Sequence, residues 1–545
     1  MDSPWRPELY KPSSACEIAP HQVLEAEALE SEIQDFSQFT KDITETPYDP
    51  ENWLNRGNCL RRLGYPELAL GDVQKARLLV EAALENDSTL GTDAYKAYSQ
   101  KIWQLHQTHP AWMPRKAQVA TPESLRALVT ILLKRLELQI WSELMEGLMA
   151  SNCCADYLEV SKDAVAKFPD DQVFPSEVTN AESWFEQRQN ILQGYVDDEE
   201  MTTEAMKTTL YNGSVYPTAY PWMTEDVIAR SDEVIEKVAF EFASASSNCV
   251  VSKSTIRLAQ SPEEVSEIDV LGVVATRDIL AQETVLVDPT LAAVVDSADR
   301  CPACCGPFLD KIENSCCKTL YCSSSCSQNA LDSYHTIVCG KDLDFLLGTE
   351  SESLSNSRES SMGSKLFLRV LALSLKEDVA SPLKTSLISR LTPAYNPNSP
   401  QLVVLNFKDH IITPIRILRE LGIDVFANSA YDTWVLHTIY CRLQNNKHGQ
   451  TFDDICGTGV NPLYSMFNHS CDPNIDWRHD DENSTVTMFA ERDIKNGEEM
   501  FISYIGKGKG LEERRRKLMP WFGMDCACHK CDEEKLEAMT AAITV

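Results

Sequence analysis

The run Asn468-His469-Ser470-Cys471-Asp472-Pro473-Asn474 places one thiol in a polar, turn-rich segment. Cys526, Cys528 and Cys531 follow it near the C-terminus in a C-x-C-x-x-C arrangement. Three thiolates are one short of the tetrahedron that structural zinc prefers, and Cys471 can supply the fourth. If it does, the chain folds back on itself and closes a pocket there. Upstream, Cys301-x2-Cys304 and Cys322-x3-Cys326 are two further ligand pairs. His335-x3-Cys339 is a third, spaced to set both groups on one helix face.

Composition limits where such chemistry can operate. The chain has 545 residues and a hydrophobic share of 43%, long enough for several cored domains. No apolar run reaches membrane-span length, and Met1 to Arg6 lack the apolar core of a signal peptide. The nineteen cysteines are therefore read in a reducing compartment, nucleus or cytoplasm, where metal sites outrank disulfides. Cys16, Cys59, Cys153, Cys154, Cys249, Cys441 and Cys456 lack ligand spacing and read as buried structural thiols. A formal charge of −32 argues against non-specific DNA or RNA binding through phosphates; it suits a basic protein partner, or solubility alone.

The elements that must position these groups read as two halves. Residues 1–45 are polar and acidic, with a helix around Leu24 to Phe36. Trp53, Gly57, Leu63-Gly64, Ala69 and Ala76 occupy the positions of a tetratricopeptide-like helical hairpin, with Pro66 opening its second helix. Further helices are predicted from Thr121-Pro122-Glu123 through Ile140 and over Tyr157 to Phe168, a scaffold or partner-binding arm. Strand patterns cover Val270 to Ala275 and Glu283 to Val287 around a turn. A Ser-rich loop is predicted over Gly348 to Ser364, helices over Leu366 to Leu375 and Asp432 to Leu443, and a Pro-containing stretch over Ser381 to Pro400. The basic run Lys507 to Lys517 reads as a solvated helix face. Asp476, Asp480 and Asp481 read as a solvated loop, with His479 and His529 at the surface.

The N-H-S-C motif, the terminal cysteines and Phe501-Ile502-Ser503-Tyr504 together resemble the SET-domain family of S-adenosylmethionine-dependent lysine methyltransferases. The cysteine-rich segment resembles the MYND finger, so the chain is most similar to SET–MYND proteins; the helical region ahead is reminiscent of fungal proteins pairing tetratricopeptide and SET modules. The resemblance implies an α+β fold: a β-rich SET core with an inserted finger and a post-SET zinc site. The expected boundaries are 46–245 for the helical region, 246–300 and 457–510 for the SET halves, 301–339 for the finger, 340–456 for a helical insert and 511–545 for the post-SET region. It further implies two to three zinc ions, held by Cys301, Cys304, Cys322 and Cys326, by Cys316, Cys317, His335 and Cys339, and by Cys471 with Cys526, Cys528 and Cys531. Adjacent Cys316 and Cys317 stand where the family has a C-x-x-C pair, so local backbone strain, or substitution by Cys305, is expected there.

Carried over position by position, Asn468 and His469 contact the cofactor, and Gly272 is the second glycine of a G-x-G turn whose first is here Val270. Asn446, with Asn445 as substitute, precedes the motif, and Met524 stands where the family stacks a Phe on adenine. Tyr504 is the catalytic candidate: methyl transfer is an in-line displacement in which geometry dominates, and a phenol orients the amine without serving as a strong base. The expected activity is protein-lysine N-methylation of a histone or another basic protein. The alternative is a degenerate SET/MYND scaffold that binds peptides in transcriptional regulation.

Overall fold

The structure, a computed structural model, describes residues 5–16, 20–108, 122–197, 202–261, 264–290, 292–308, 310–347, 358–392, 402–452, 455–479 and 483–543. Thr121, residues 348–357 of the Ser-rich stretch, residues 393–400 of the Pro-containing stretch, Asp480 and Asp481 lie outside these.

Local chemistry sets the helix starts. Pro50 and Pro66 occupy first turns, and the Asp49 carboxylate accepts from the Glu51 N–H at 3.0 Å. The helices Pro50–Arg62 and Pro66–Glu85 pack together where Gly57 leaves room: a Cβ there would stand 3.1 Å from the Val73 side chain. Buried Trp53 donates from Nε1 to the Pro47 carbonyl at 2.7 Å. The first long helix is Ala26–Glu45, longer than its sequence pattern suggested; Thr89–Thr108, Pro122–Ala150, Cys154–Lys167, Phe174–Asp197 and Thr203–Tyr211 extend the layer.

This layer is no free-standing arm. Leu54, Leu70 and Leu144 share one core with Leu366, Ile415 and Leu436 of the later insert. A lone hairpin cannot bury both of its faces, and here the helix Thr433–Asn446 covers one of them. Its capping residue Asp432 takes Arg56 at 3.0 Å and Lys75 at 3.2 Å, while Arg56 also holds Asp72 at 2.6 Å. The Thr433 side chain fills the space beside Gly71 that a larger residue would need.

The β half starts with a long hairpin, Cys249–Ser261 and Glu264–Ala275, in a five-stranded sheet. Glu264–Ala275 also pairs with Glu499–Ile502, which runs parallel to Asn468–His469, and Asp525–Cys526 closes the opposite edge on Cys249–Ser261. Thr284–Asp288 joins a separate sheet with Val486–Ala490 and Ile475–His479. The strand patterns on either side of the turn thus belong to different sheets. Part of the stretch read as a Ser-rich loop is helical, because Arg358–Lys376 forms a helix whose Leu366, Phe367, Val370 and Leu371 enter the large core. The core of the β half gathers Val273, Leu286, Phe467, Met488, Met500 and Ile502, with Tyr504 against it.

Candidate active site and metal centres

Among the described residues, three side-chain clusters bring metal-ligating atoms together: Cys301, Cys304, Cys322 and Cys326; Cys316, Cys317, His335 and Cys339; and Cys471, Cys526, Cys528 and Cys531. Within each, the ligand atoms lie within 4.8 Å of one another. Sulfur–sulfur distances are 3.6 Å for Cys304–Cys322 and for Cys322–Cys326, and 3.5 Å for Cys316–Cys339 and for Cys471–Cys531. Metal–sulfur bonds near 2.3 Å in a tetrahedron give edges of about 3.8 Å, whereas a disulfide spans about 2.05 Å. The donor sets and spacings fit zinc.

In the finger, the ribbon of Ile312–Glu313 and Leu320–Tyr321 presents both adjacent cysteines to one imidazole. Cys316 and Cys317 each stand 3.3 Å from His335 Nε2. The other ring nitrogen lies 3.0 Å from the Tyr321 hydroxyl, which fixes the ring. The expected strain is not at these cysteines: neither has a positive φ, and Cys305 is the finger cysteine that does, at 60°. Nor does Cys305 substitute for a ligand. Its buried thiol packs against Ala293 and Val295, and burial pushes its pKa up to about 11.

The third cluster closes because Cys526 pairs in the sheet opposite Leu258, and the Ala527 N–H donates to the Arg257 carbonyl at 3.0 Å. Helix Leu511–Phe522 carries Arg514 to Lys517 of the basic run, whose Lys507 and Lys509 precede it, and the expected solvated face is only partly so. Arg514 is buried, paired with Glu534 at 2.8 Å, with Nη2 3.6 Å from Cys531 Sγ. A guanidinium there compensates thiolate charge from outside the ligand set. His479 also departs from a surface reading, lying beside His448 and Trp477 at ring centroids of 5.0 and 5.5 Å.

Next to this cluster lies the Tyr504 site. The Tyr504 hydroxyl donates to the Phe467 carbonyl at 3.0 Å, and its backbone N–H donates to His469 Nδ1, also at 3.0 Å. With Nδ1 accepting, His469 carries its proton on Nε2, 3.3 Å from Cys471 Sγ. Burial lowers the imidazole pKa to about 4, so the ring is neutral near pH 7. Burial raises the Tyr504 phenol above its ordinary value, with the Glu499 carboxylate adding to the rise and Arg230 opposing it. The hydroxyl stays protonated and serves as a dipole.

Asn468 Nδ2 donates to the Leu271 carbonyl at 3.1 Å and to Glu499 Oε1 at 2.9 Å. Its Oδ1 has no hydrogen bond among the described residues. Gly272 lies inside a strand, opposite Ser252, and not in a turn. The physical need for glycine is lateral: a Cβ would collide with the Glu499 carboxylate, which also accepts from Ser254. Asn446 turns its amide to backbone groups. Oδ1 accepts the Thr392 N–H at 3.1 Å, and Nδ2 donates to the Thr392 and Arg442 carbonyls at 2.8 Å.

Met524 is buried among Leu258, Leu518 and the terminal cysteines. The ring that reaches the site is Phe522, with centroids 5.9 Å from His469 and 6.2 Å from Tyr504, and Trp521 stands 6.0 Å from Tyr504. Sequence reasoning missed both; the signal was two aromatic residues closing the helix just before the cysteines. Together, aromatic faces for a planar base and the Asn468 oxygen as acceptor for an ammonium fit S-adenosylmethionine.

A family model described as SET domain matches residues 270–505. The chain is 39% identical over 75 residues to histone-lysine N-methyltransferase SET5 of Yarrowia lipolytica, covering 14% of this chain and 17% of that protein. It is 39% identical over 75 residues to a SET and MYND domain-containing protein of Dictyostelium discoideum, 14% of each chain. It is 35% identical over 82 residues to histone-lysine N-methyltransferase SMYD3 of Homo sapiens, 15% of this chain and 19% of that one. The chain thus spans less than a fifth of the length of these relatives. It carries a SET domain with homologues among SET and MYND proteins.

Proposed function

We propose that this SET-domain chain is a protein-lysine N-methyltransferase that uses S-adenosylmethionine and acts on a lysine in a basic protein segment, such as a histone tail. The observation that carries this reading is the double anchoring of Tyr504, by hydroxyl to the Phe467 carbonyl and by N–H to His469. It holds a neutral phenol in fixed orientation beside the aromatic rings of Phe522 and Trp521.

When bound, the cofactor supplies a methyl group from its sulfonium. Tyr504 orients the attacking amine, for which geometry contributes most of the rate. The Tyr504 surroundings, apolar on the Phe467, Ile502 and Val273 side, disfavour an ammonium and so favour the free amine. His469 holds the Tyr504 backbone to the Cys471 cluster, and Glu499 holds Asn468. Zinc in the three clusters would be structural, with all four positions taken by protein ligands.

The acidic balance of −32 suits a Lys/Arg-rich substrate. No helix among the described residues is long and apolar enough to cross a membrane. We assign the site of action to nucleus or cytoplasm, and partner binding to the finger and the helical layer. The test is transfer of labelled methyl groups to a lysine-peptide array by the unmodified protein and by Tyr504→Phe. Labelling that the substitution leaves unchanged removes Tyr504 from the mechanism. Absence of cofactor binding at millimolar concentration leaves the peptide-binding scaffold.

A further inference from the structure

Arg230 is a largely buried cation without a carboxylate partner among the described residues. It precedes Ser231, whose hydroxyl accepts the Val234 N–H at 3.4 Å and caps the helix Asp232–Ala245. Val238 and Phe242 of that helix pack in the same core as Phe467, against which Tyr504 lies. Arg230 Nε donates to the Arg390 carbonyl at 2.7 Å, and Nη2 donates to the Thr392 hydroxyl. Both acceptors are neutral. Nη1 has no acceptor among the described residues. Glu241, on the same helix, is taken by Arg390, whose Nη2 lies 2.9 Å from it.

Thr392 is a shared anchor. Its hydroxyl holds Arg230, and its backbone N–H and carbonyl hold the amide of Asn446. The helix that Arg230 precedes packs Val234 and Phe242 into the core against which Tyr504 also lies, with the Phe242 and Phe467 ring centroids 6.3 Å apart. Burial first, and the Arg442 guanidinium second, push the Arg230 pKa down to about 10, so it remains charged at neutral pH. A buried charge without a counter-ion is costly, and its retention beside the Tyr504 site points to an anion that arrives with a ligand.

We infer that Arg230 receives the carboxylate of the amino-acid moiety of the methyl donor, with Thr392 fixing the guanidinium and Asn446 fixing Thr392. This rests on the methyltransferase reading. The donor carries a sulfonium, an ammonium and one carboxylate, and of these the carboxylate alone gains from a guanidinium. The substrate lysine, a cation before it loses its proton, is repelled by Arg230. The Asn468 oxygen complements the ammonium, which sets the two ends of the amino-acid moiety on different residues. Arg230 lies just ahead of the helix Asp232–Ala245 and outside the matched residues 270–505, so the site draws on a residue that the match does not include.

Calorimetry with S-adenosylmethionine and its decarboxylated analogue tests the assignment without reference to turnover. The unmodified protein should bind the full cofactor about 50-fold tighter than the analogue. Arg230→Gln should bind the full cofactor about 50-fold more weakly than the unmodified protein does. It should also treat the two ligands alike, whereas Arg230→Lys should restore part of the preference. Zinc content and melting temperature report whether each variant is folded. Equal affinity of the unmodified protein for both ligands overturns the assignment with no variant needed, as does a folded Arg230→Gln that keeps the preference. No binding of either ligand by the unmodified protein overturns the methyltransferase reading as well, so the two failures are distinguishable.

Discussion

Tyr504 and Cys471 are joined through one imidazole: the Tyr504 N–H donates to His469 Nδ1 at 3.0 Å, and His469 Nε2 lies 3.3 Å from the Cys471 sulfur. The metal cluster at the C-terminus and the catalytic candidate are therefore not independent. Charge on Cys471 sets the direction in which Nε2–H points, and that leaves Nδ1 to hold the Tyr504 backbone.

Loss of the third zinc should reach the Tyr504 site through this link. Cys471→Ser should lower zinc by one ion per chain, measured by plasma mass spectrometry, and weaken S-adenosylmethionine binding by at least about 10-fold. Cys304→Ser should also cost one zinc yet change cofactor affinity less, because no hydrogen bond among the described residues joins the finger clusters to His469. Equal effects of the two substitutions on affinity would refute the link.

Removing the Tyr504 hydroxyl deletes one oriented dipole and no core volume. Tyr504→Phe should reduce kcat about 100-fold while leaving cofactor affinity within about 3-fold. The split between single-turnover rate and calorimetric Kd checks it.

Phe522 and Met524 lie two residues apart with different surroundings. Phe522→Ala should weaken cofactor binding by about 10-fold, the loss expected for one stacked ring. Met524→Ala should act mainly on stability, by about 2–4 kcal/mol, because it opens a cavity beside the cysteines. Thermal melts and calorimetry on both variants separate the two roles, and the opposite pattern would restore Met524 as the stacking residue.

Glu67 is fully buried, accepts from Ser13 at 2.6 Å and Tyr220 at 2.9 Å, and has no cation among its hydrogen-bond partners within the described residues. Burial pushes its pKa up to about 7 from 4.5. The folded state therefore holds a proton that the unfolded chain has released between these values. Stability from this group is full below the unfolded value and falls as pH rises towards 7, by about 3 kcal/mol in all. Glu67→Gln should be close to neutral at pH 5 and raise the melting temperature at pH 8. A wild-type advantage at pH 8 would contradict the raised pKa.

Asp432 behaves in the reverse sense. Burial alone would raise its pKa, but Arg56 first and Lys75 second hold it well below the usual carboxylate range. Its contribution is present above the unfolded carboxylate value and is lost only as pH falls through the depressed folded one, so it is constant from pH 5 to 8. Asp432→Ala leaves buried Arg56 and Lys75 with Asp72 as their one remaining carboxylate among the described residues, and should destabilise the protein by about 3–5 kcal/mol, measured by denaturant unfolding.

Much of this was legible along the chain, because ligand spacing and motif chemistry are local properties. The cysteine and histidine pairs, the N-H-S-C run ahead of Tyr504 and the helical hairpin around Trp53 and Gly57 each announce themselves within a few dozen residues. Other features have no local signature. Gly272 needs its missing side chain because Glu499, from a distant strand, occupies the space. Arg514 sits in an ordinary basic run until Glu534 and Cys531 close over it.

The sequence by itself determined which residue types were available for metal and for methyl-transfer chemistry, since those depend on side-chain identity and near spacing. Tertiary structure alone decided which groups face one another. Folding docked the helical layer onto the insert through Asp432, turned Phe522 and not Met524 towards His469, and left Arg230 without a carboxylate partner near Tyr504 among the described residues. These pairings cross up to hundreds of positions in the chain, and burial, which sets their charge states, exists only once the cores have formed.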